Sequence, residues 1–101
     1  MQKQPSKRDD AYLAWVRTQP CCIRGCGDNV HVEAAHLRLG SVNDGKPYGA
    51  MQMKSSDCWA LPLCGRHHRE QHAMGNELEF WASHGINDPF ALAKHYWARP
   101  R

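Results

Sequence analysis

Two short-range pairs of soft ligands, Cys21-x4-Cys26 and Cys64-x2-His67, stand about 40 residues apart in the chain. Thiolate sulfur and neutral imidazole nitrogen are the donors a tetrahedral zinc ion takes, and joining two such pairs from distant segments is how a zinc knuckle is assembled. The expectation is a structural Zn²⁺ on Cys21, Cys26, Cys64 and His67. Gly25 and Gly27 allow the tight backbone that the first pair needs. Cys22 offers a second spacing, Cys22-x3-Cys26, against which the x4 pair beside Gly25 is preferred, and Cys58 is left over. Five cysteines are an odd number, and with histidines alongside they point to metal binding in a reducing compartment rather than to a disulfide framework. Buried free cysteines, packing as small hydrophobes, are the competing interpretation.

Directly beyond Cys64 runs His67-His68-Arg69-Glu70-Gln71-His72. On a helix, His68 and His72 are four apart and share a face, where two imidazoles can hold one metal ion. His67 points about 100° away from His68, so one can serve zinc while the other serves a separate site. A solvated histidine-rich helix is the bland alternative. Upstream, Glu33-Ala34-Ala35-His36-Leu37-Arg38 sets a histidine on an expected strand ahead of a glycine-rich stretch, and Lys54-Ser55-Ser56-Asp57 closes that stretch. By position alone, His36 reads more readily as a core or surface residue than as a catalytic one.

Taken together, Ala34-Ala35-His36-Leu37-Arg38, the glycine-rich loop, Lys54-Ser55-Ser56-Asp57 and the run from Leu61 to His72 resemble the small HNH (ββα-metal, His-Me finger) endonucleases encoded by phages and prophages. The similarity covers roughly Cys21 to His72, and Phe80-Trp81-Ala82 with Gly85-Ile86 and Asp88-Pro89 resembles the tail of that group. The resemblance implies an α+β fold in which two strands and a helix grip one divalent metal beside a cysteine-held zinc. It implies that His36 is the general base, that His68 is a metal ligand, and that His72 is a second ligand to the same ion. Asp57 falls near the middle position of the motif, whose side chain ties down the loop carrying the base. One departure stands out: many members carry a His or Asp ligand just before the base, and here that position is Ala35. Water and substrate phosphate would then complete the metal, or Glu33, which shares a strand face with position 35.

The activity so implied is hydrolysis of DNA phosphodiester bonds at one divalent ion, Mg²⁺, Mn²⁺, Ni²⁺ or Zn²⁺. A neutral imidazole suits the task, since its ordinary pKa of ~6.5 makes it a base near neutral pH. Arg38, Lys46 and Lys54 are candidate phosphate contacts that would hold DNA without reading its sequence. Solvated side chains are the default reading of each. A second class of function is a non-catalytic zinc module that binds DNA or protein, supported by the ligand missing at Ala35. A redox or metal-storage role for the spare cysteines is disfavoured, because no Cys-x-x-Cys pair is present.

These residues need elements to position them. Tyr12, Leu13 and Val16 recur at helical spacing between Asp9 and Thr18, and Pro20 ends the pattern. A strand is expected over Val30 to Leu37, a long loop over Gly40 to Lys54, and a second strand over Cys58 to Leu63. Helices follow at Arg66 to Met74, stopped by Gly75, at Glu77 to Ser83, and from Asn87-Asp88-Pro89 onward. Trp59, Trp81, Phe90 and Trp97 read as core, and His84 and His95 as surface residues without partners. The expected organisation is one domain over residues 1–101, with residues 1–8 as a flexible arm, 21–72 as the motif core and 76–98 as C-terminal helices.

Composition limits the classes. With 42% hydrophobic and 23% charged residues the chain is neither a disordered polymer nor a membrane span. A core this small gains from a metal staple. The N-terminal residues have no apolar stretch behind their basic ones, so a secretory signal is not expected and a cytoplasmic setting is. A net charge of +3 suits nucleic acid binding but does not select it.

Overall fold

The computed structural model describes residues 8–38 and 56–99. Lys46, Lys54, the glycine-rich loop and most of the N-terminal arm lie outside them. In chain order the elements are α1 (Asp10–Val16), β1 (Val32–His36), a 3-10 turn (Asp57–Trp59), β2 (Ala60–Cys64), α2 (Gly65–Met74), α3 (Glu77–Ser83) and α4 (Pro89–Ala98). The architecture is α+β, four helices around a two-stranded antiparallel sheet in which Val32 pairs with Cys64 and His36 with Ala60.

Each helix begins where the sequence supplies a cap. Asp9, Asn76 and Asp88 accept the amides of Tyr12, Glu79 and Ala91, each at 3.0 Å, satisfying donors a helix start leaves open. Expected and observed ranges differ most in the strands. β1 begins at Val32 rather than Val30 because the Asp28 carboxylate takes the amides of Val30 and His31, at 2.9 and 3.0 Å, into a local turn. Val30 is accordingly 76% exposed. Asp57–Trp59, with Cys58 inside it, forms the 3-10 turn instead of extending β2.

Pro62 sits in the middle of β2 rather than near its end. Its carbonyl accepts the Cys22 amide at 2.8 Å, so this residue's polar groups face away from β1. The missing proline N–H therefore costs the ladder nothing.

All five residues of β2 are buried, because helices cover both faces of the sheet. On one, Ala34 and Ala60 pack against Tyr12, Leu13 and Val16 of α1, with Trp97 joining from α4. On the other, Ala35, Leu61 and Leu63 belong to the larger core with Phe80, Trp81 and Ala93. Trp59, Trp81 and Phe90 are core as expected, and Trp97 is half-buried, its ring edge-on to Tyr12 with 4.7 Å between centroids. None of the described helices is long and apolar enough to cross a membrane.

α2 ends at Gly75, whose φ of 73° lies in the left-handed region. Gly75→Ala is expected to lower unfolding free energy by about 1 kcal/mol, measured by denaturant titration, because Cβ disfavours that conformation.

Candidate functional site

The C-terminal residue of β2, Cys64, is also the N-cap of α2, and its Sγ accepts the His67 amide at 3.5 Å. A Cys-x2-His spacing at a helix start thus sets sulfur and imidazole side by side. The Cys21–Cys26 turn folds back on the same corner, closed by Cys21 N–H to Asp28 C=O at 2.8 Å and Cys26 N–H to Ile23 C=O at 3.0 Å. His67 Nδ1 lies 3.2 Å from Cys64 Sγ and 3.6 Å from Cys21 Sγ, and Cys26 Sγ lies 3.9 Å from Cys64 Sγ. Metal–sulfur bonds of about 2.3 Å and metal–nitrogen bonds of about 2.0 Å in a tetrahedron require donor separations of roughly 3.5–3.8 Å. These four residues fit a metal ion such as zinc.

Burial raises the Cys21 thiol to about 11. It raises Cys22 to about 12, with the Cys21 thiol adding to the effect. Cys26 is lowered instead, chiefly by a backbone hydrogen bond at Asp28. The His67 imidazole is shifted down by burial, then by Arg66 and His84, which keeps its nitrogen available as a ligand. Cys22 does not join the ligand group, and Cys58 is buried beside Trp59 in the core.

His84 is not the unpartnered surface residue its sequence position suggested. Its Nε2 is 3.2 Å from Glu70 Oε1, and its ring stands edge-on to His67 and to Phe80, with centroids 5.1 and 5.0 Å away. His67, Glu70 and His84 also form a possible metal-holding group. His67 Nδ1 faces the thiols, and the thiol set supplies the donor distances of a tetrahedron. No spacing rule pairs residues 67 and 84; the turn between α2 and α3 does. His95 is exposed.

The other histidines form two further pairs. His36, the last residue of β1, has its Nε2 2.8 Å from Asp57 Oδ1. The second oxygen of Asp57 accepts the backbone N–H of Asp9, the N-cap of α1. The expected role of Asp57, tying down the loop that carries the base, concerns residues outside those described; among the described residues Asp57 holds the ring of His36. Burial pushes the Asp57 carboxyl up, but the His36 hydrogen bond and the Asp9 amide outweigh it, and the net shift is downward.

On α2, His68 Nε2 lies 3.3 Å from His72 Nε2, and His68 Nδ1 lies 2.7 Å from Glu33 Oε1. Ala35 is fully buried and offers no donor. No hydrogen bond or ion pair among the described residues joins His36–Asp57 to His68–His72. Alternation along β1 sends His36 and Glu33 to opposite faces. His72 lies toward the His36 end of β1, whereas His68 meets Glu33 nearer its start. Arg38, within about 7 Å of chain from His36, lines a shallow hollow with Gln71, His72, Gly75 and Glu77. Glu77, which sequence reasoning passed over, fixes that end. Its carboxylate accepts the Arg38 amide at 3.0 Å, Gln71 Nε2 at 2.7 Å and Trp81 Nε1 at 3.5 Å.

The profile of the family described as "Protein of unknown function (DUF968)" matches residues 2–95. The chain belongs to the DUF968 family. Among curated proteins, this DUF968 chain is 38% identical over 74 residues to "Uncharacterized protein YdfU" of Escherichia coli (strain K12). That match covers 69% of this chain and 18% of YdfU, so this DUF968 chain spans a small part of its relative's length. No solved structure matches.

Cys21→Ala is expected to abolish stoichiometric binding of Co²⁺ at the knuckle while Cys22→Ala preserves it, read from the thiolate-to-cobalt absorption band. The wild-type affinity should rise with pH between 6 and 8, roughly speaking, because protons leave the thiols as metal binds. For Asp57, whose folded-state carboxyl is depressed, the stabilisation relative to Asp57→Asn is expected to be complete above the unfolded value of about 4. It should disappear as pH falls through the folded value, measured by denaturant unfolding at a series of pH values.

Proposed function

We propose that this DUF968 chain is a metal-dependent endonuclease of the HNH type that hydrolyses phosphodiester bonds in DNA, with a structural zinc at Cys21, Cys26, Cys64 and His67. The observation that carries the reading is one ββα unit in which β1 ends in a carboxylate-bound histidine and α2 carries two imidazoles with facing nitrogens. Asp57 accepts Nε2–H of His36, which leaves Nδ1 as the acceptor of a proton from the attacking water. As that proton arrives, the carboxylate stabilises the imidazolium and keeps the ring in place, while the Asp9 amide keeps the carboxylate in place.

His68 and His72 would hold the divalent ion. Metal–nitrogen bonds of about 2.0–2.1 Å at a shared ion require a nitrogen separation of roughly 3.0–3.4 Å, and the observed 3.3 Å agrees. When bound, such an ion supplies charge stabilisation on the scissile phosphate and the leaving oxygen. Mg²⁺, Mn²⁺, Ni²⁺ and Zn²⁺ all suit imidazole donors completed by water and phosphate. Arg38, beside His72 in the hollow, is the described candidate for a phosphate contact, and Lys46 and Lys54 extend that role in the proposal. The reading carries with it a bacterial cytoplasmic setting and a phage or prophage origin, as the HNH resemblance implies.

A second reading, a zinc module that binds DNA or protein without cutting, is favoured by the buried Ala35 at the usual ligand position. Cleavage of supercoiled plasmid and single-stranded DNA with Mg²⁺, Mn²⁺ or Ni²⁺ separates the two. Zinc-loaded, folded His36→Ala is expected to cut about 10²–10⁴-fold more slowly than wild type, with a smaller loss in Asp57→Asn. DNA binding with no cutting under any of these metals would favour the binding module.

A further inference from the structure

The nitrogens of His68 face two different neighbours. Nδ1 meets the Glu33 carboxylate at 2.7 Å and Nε2 meets His72 Nε2 at 3.3 Å. An imidazole ring holds its two nitrogens on opposite sides, so a ligand that reaches Nδ1 is not beside an ion on Nε2. Glu33 is therefore poorly placed to fill the coordination position vacated by Ala35. We infer that Glu33 is a positioning residue. It accepts Nδ1–H of His68, fixes the ring in one tautomer, and so aims the bare Nε2 at the divalent ion shared with His72. This rests on the proposed metal site at His68 and His72.

The fold makes room for that carboxylate. Glu33 lies on the face of β1 that α2 crosses, and α2 opens with Gly65. A Cβ at position 65 would come within 3.2 Å of Glu33 Oε2 and 3.3 Å of Arg69 Nη1, a tight approach to both. The bare glycine lets a strand carboxylate lie against the first turn of the helix, beside the histidine one turn on. Glu33 is the more exposed partner, with 54% of its side chain accessible against 23% for His68. Its replacement therefore leaves the core intact. A carboxylate behind a metal-bound histidine fixes ring orientation and raises ligand basicity, and its loss commonly weakens metal binding about 10–100-fold.

The arrangement is also compatible with a direct contact between the two rings at 3.3 Å. With Nδ1 protonated toward Glu33, His68 Nε2 is an acceptor, and His72 Nε2–H can donate to it. A divalent ion held between the two Nε2 atoms would take the place of that proton, with His72 then carrying its proton on Nδ1.

The test uses the full chain with zinc in the cysteine site, comparing wild type with Glu33→Gln and Glu33→Ala, and with His68→Ala as the control that removes the second site. The ¹⁵N shifts of His68 report its tautomer before metal is added, and calorimetry and the d–d absorption of added Co²⁺ report the second equivalent. Expected are a His68 Nδ1–H tautomer in wild type that is lost in Glu33→Ala, and a cobalt affinity about 10–100-fold weaker in both variants. The d–d spectrum at saturation should be unchanged, because the ligand set is the same. A wild-type Nε2–H tautomer would overturn the inference, as would unchanged cobalt affinity in both variants; either leaves the metal site itself standing. A d–d spectrum altered in Glu33→Gln would make Glu33 a direct ligand instead. If wild type takes up no cobalt beyond that seen in His68→Ala, the metal site fails and the positioning role goes with it.

Discussion

The sulfur of Cys64 is the point at which the sheet, the start of α2 and the Cys21–Cys26 turn meet. It ends β2, where the ladder fixes its backbone against Val32, and it caps α2, where its Sγ takes the His67 amide. It also stands 3.2 and 3.9 Å from the donor atoms of His67 and Cys26. A sheet, a helix and a metal-binding turn are thereby oriented by a single residue, in a chain whose apolar core is too small to make rigidity cheap. A metal held at this corner would stiffen the start of α2 as well as the knuckle, since the cap and the ligand are the same atom.

The second constraint is the sharing of carboxylates between elements. Asp57 joins the 3-10 turn, the end of β1 and the cap of α1; Glu77 joins the end of β1 to α2 and α3. Each acidic group is fully used, and each lies beside a histidine or arginine of the proposed site. The polar framework around that site is therefore also the framework that docks the helices, which links activity and stability at Asp57 and Glu77. A variant at either must be assessed for folding before a change in rate is attributed to chemistry.

Much of this was legible from residue order. The four-ligand knuckle follows from Cys21-x4-Cys26 and Cys64-x2-His67, because ligand spacing is local and zinc geometry is strict. The helix start at Asp88 and the stop at Gly75 follow from capping chemistry, which is also local. What the residue order hid was set by tertiary contact. His84 finds Glu70 and His67 only because α3 turns back on α2, and Glu77 reaches Arg38 across 39 residues. The late start of β1 arises from the Asp28 side chain taking two backbone amides. The contact of Asp57 with the imidazole ring of His36 is likewise tertiary, made across 21 residues.

The adjacency of His67 and His68 has a consequence for how this segment can change. One imidazole faces the thiols and its neighbour faces His72 because each successive helical position turns by about 100°. The stretch from Cys64 to His72 is thus read in frame. Losing one residue between Cys64 and His67 would bring His68 to the spacing now held by His67 and carry His72 off its face. Glu70 and Gln71, between these histidines, keep their own contacts to α3 and its end, but it is the number of residues that decides which site each imidazole enters. Length, rather than identity, is the conserved quantity that this geometry would impose on relatives of the chain.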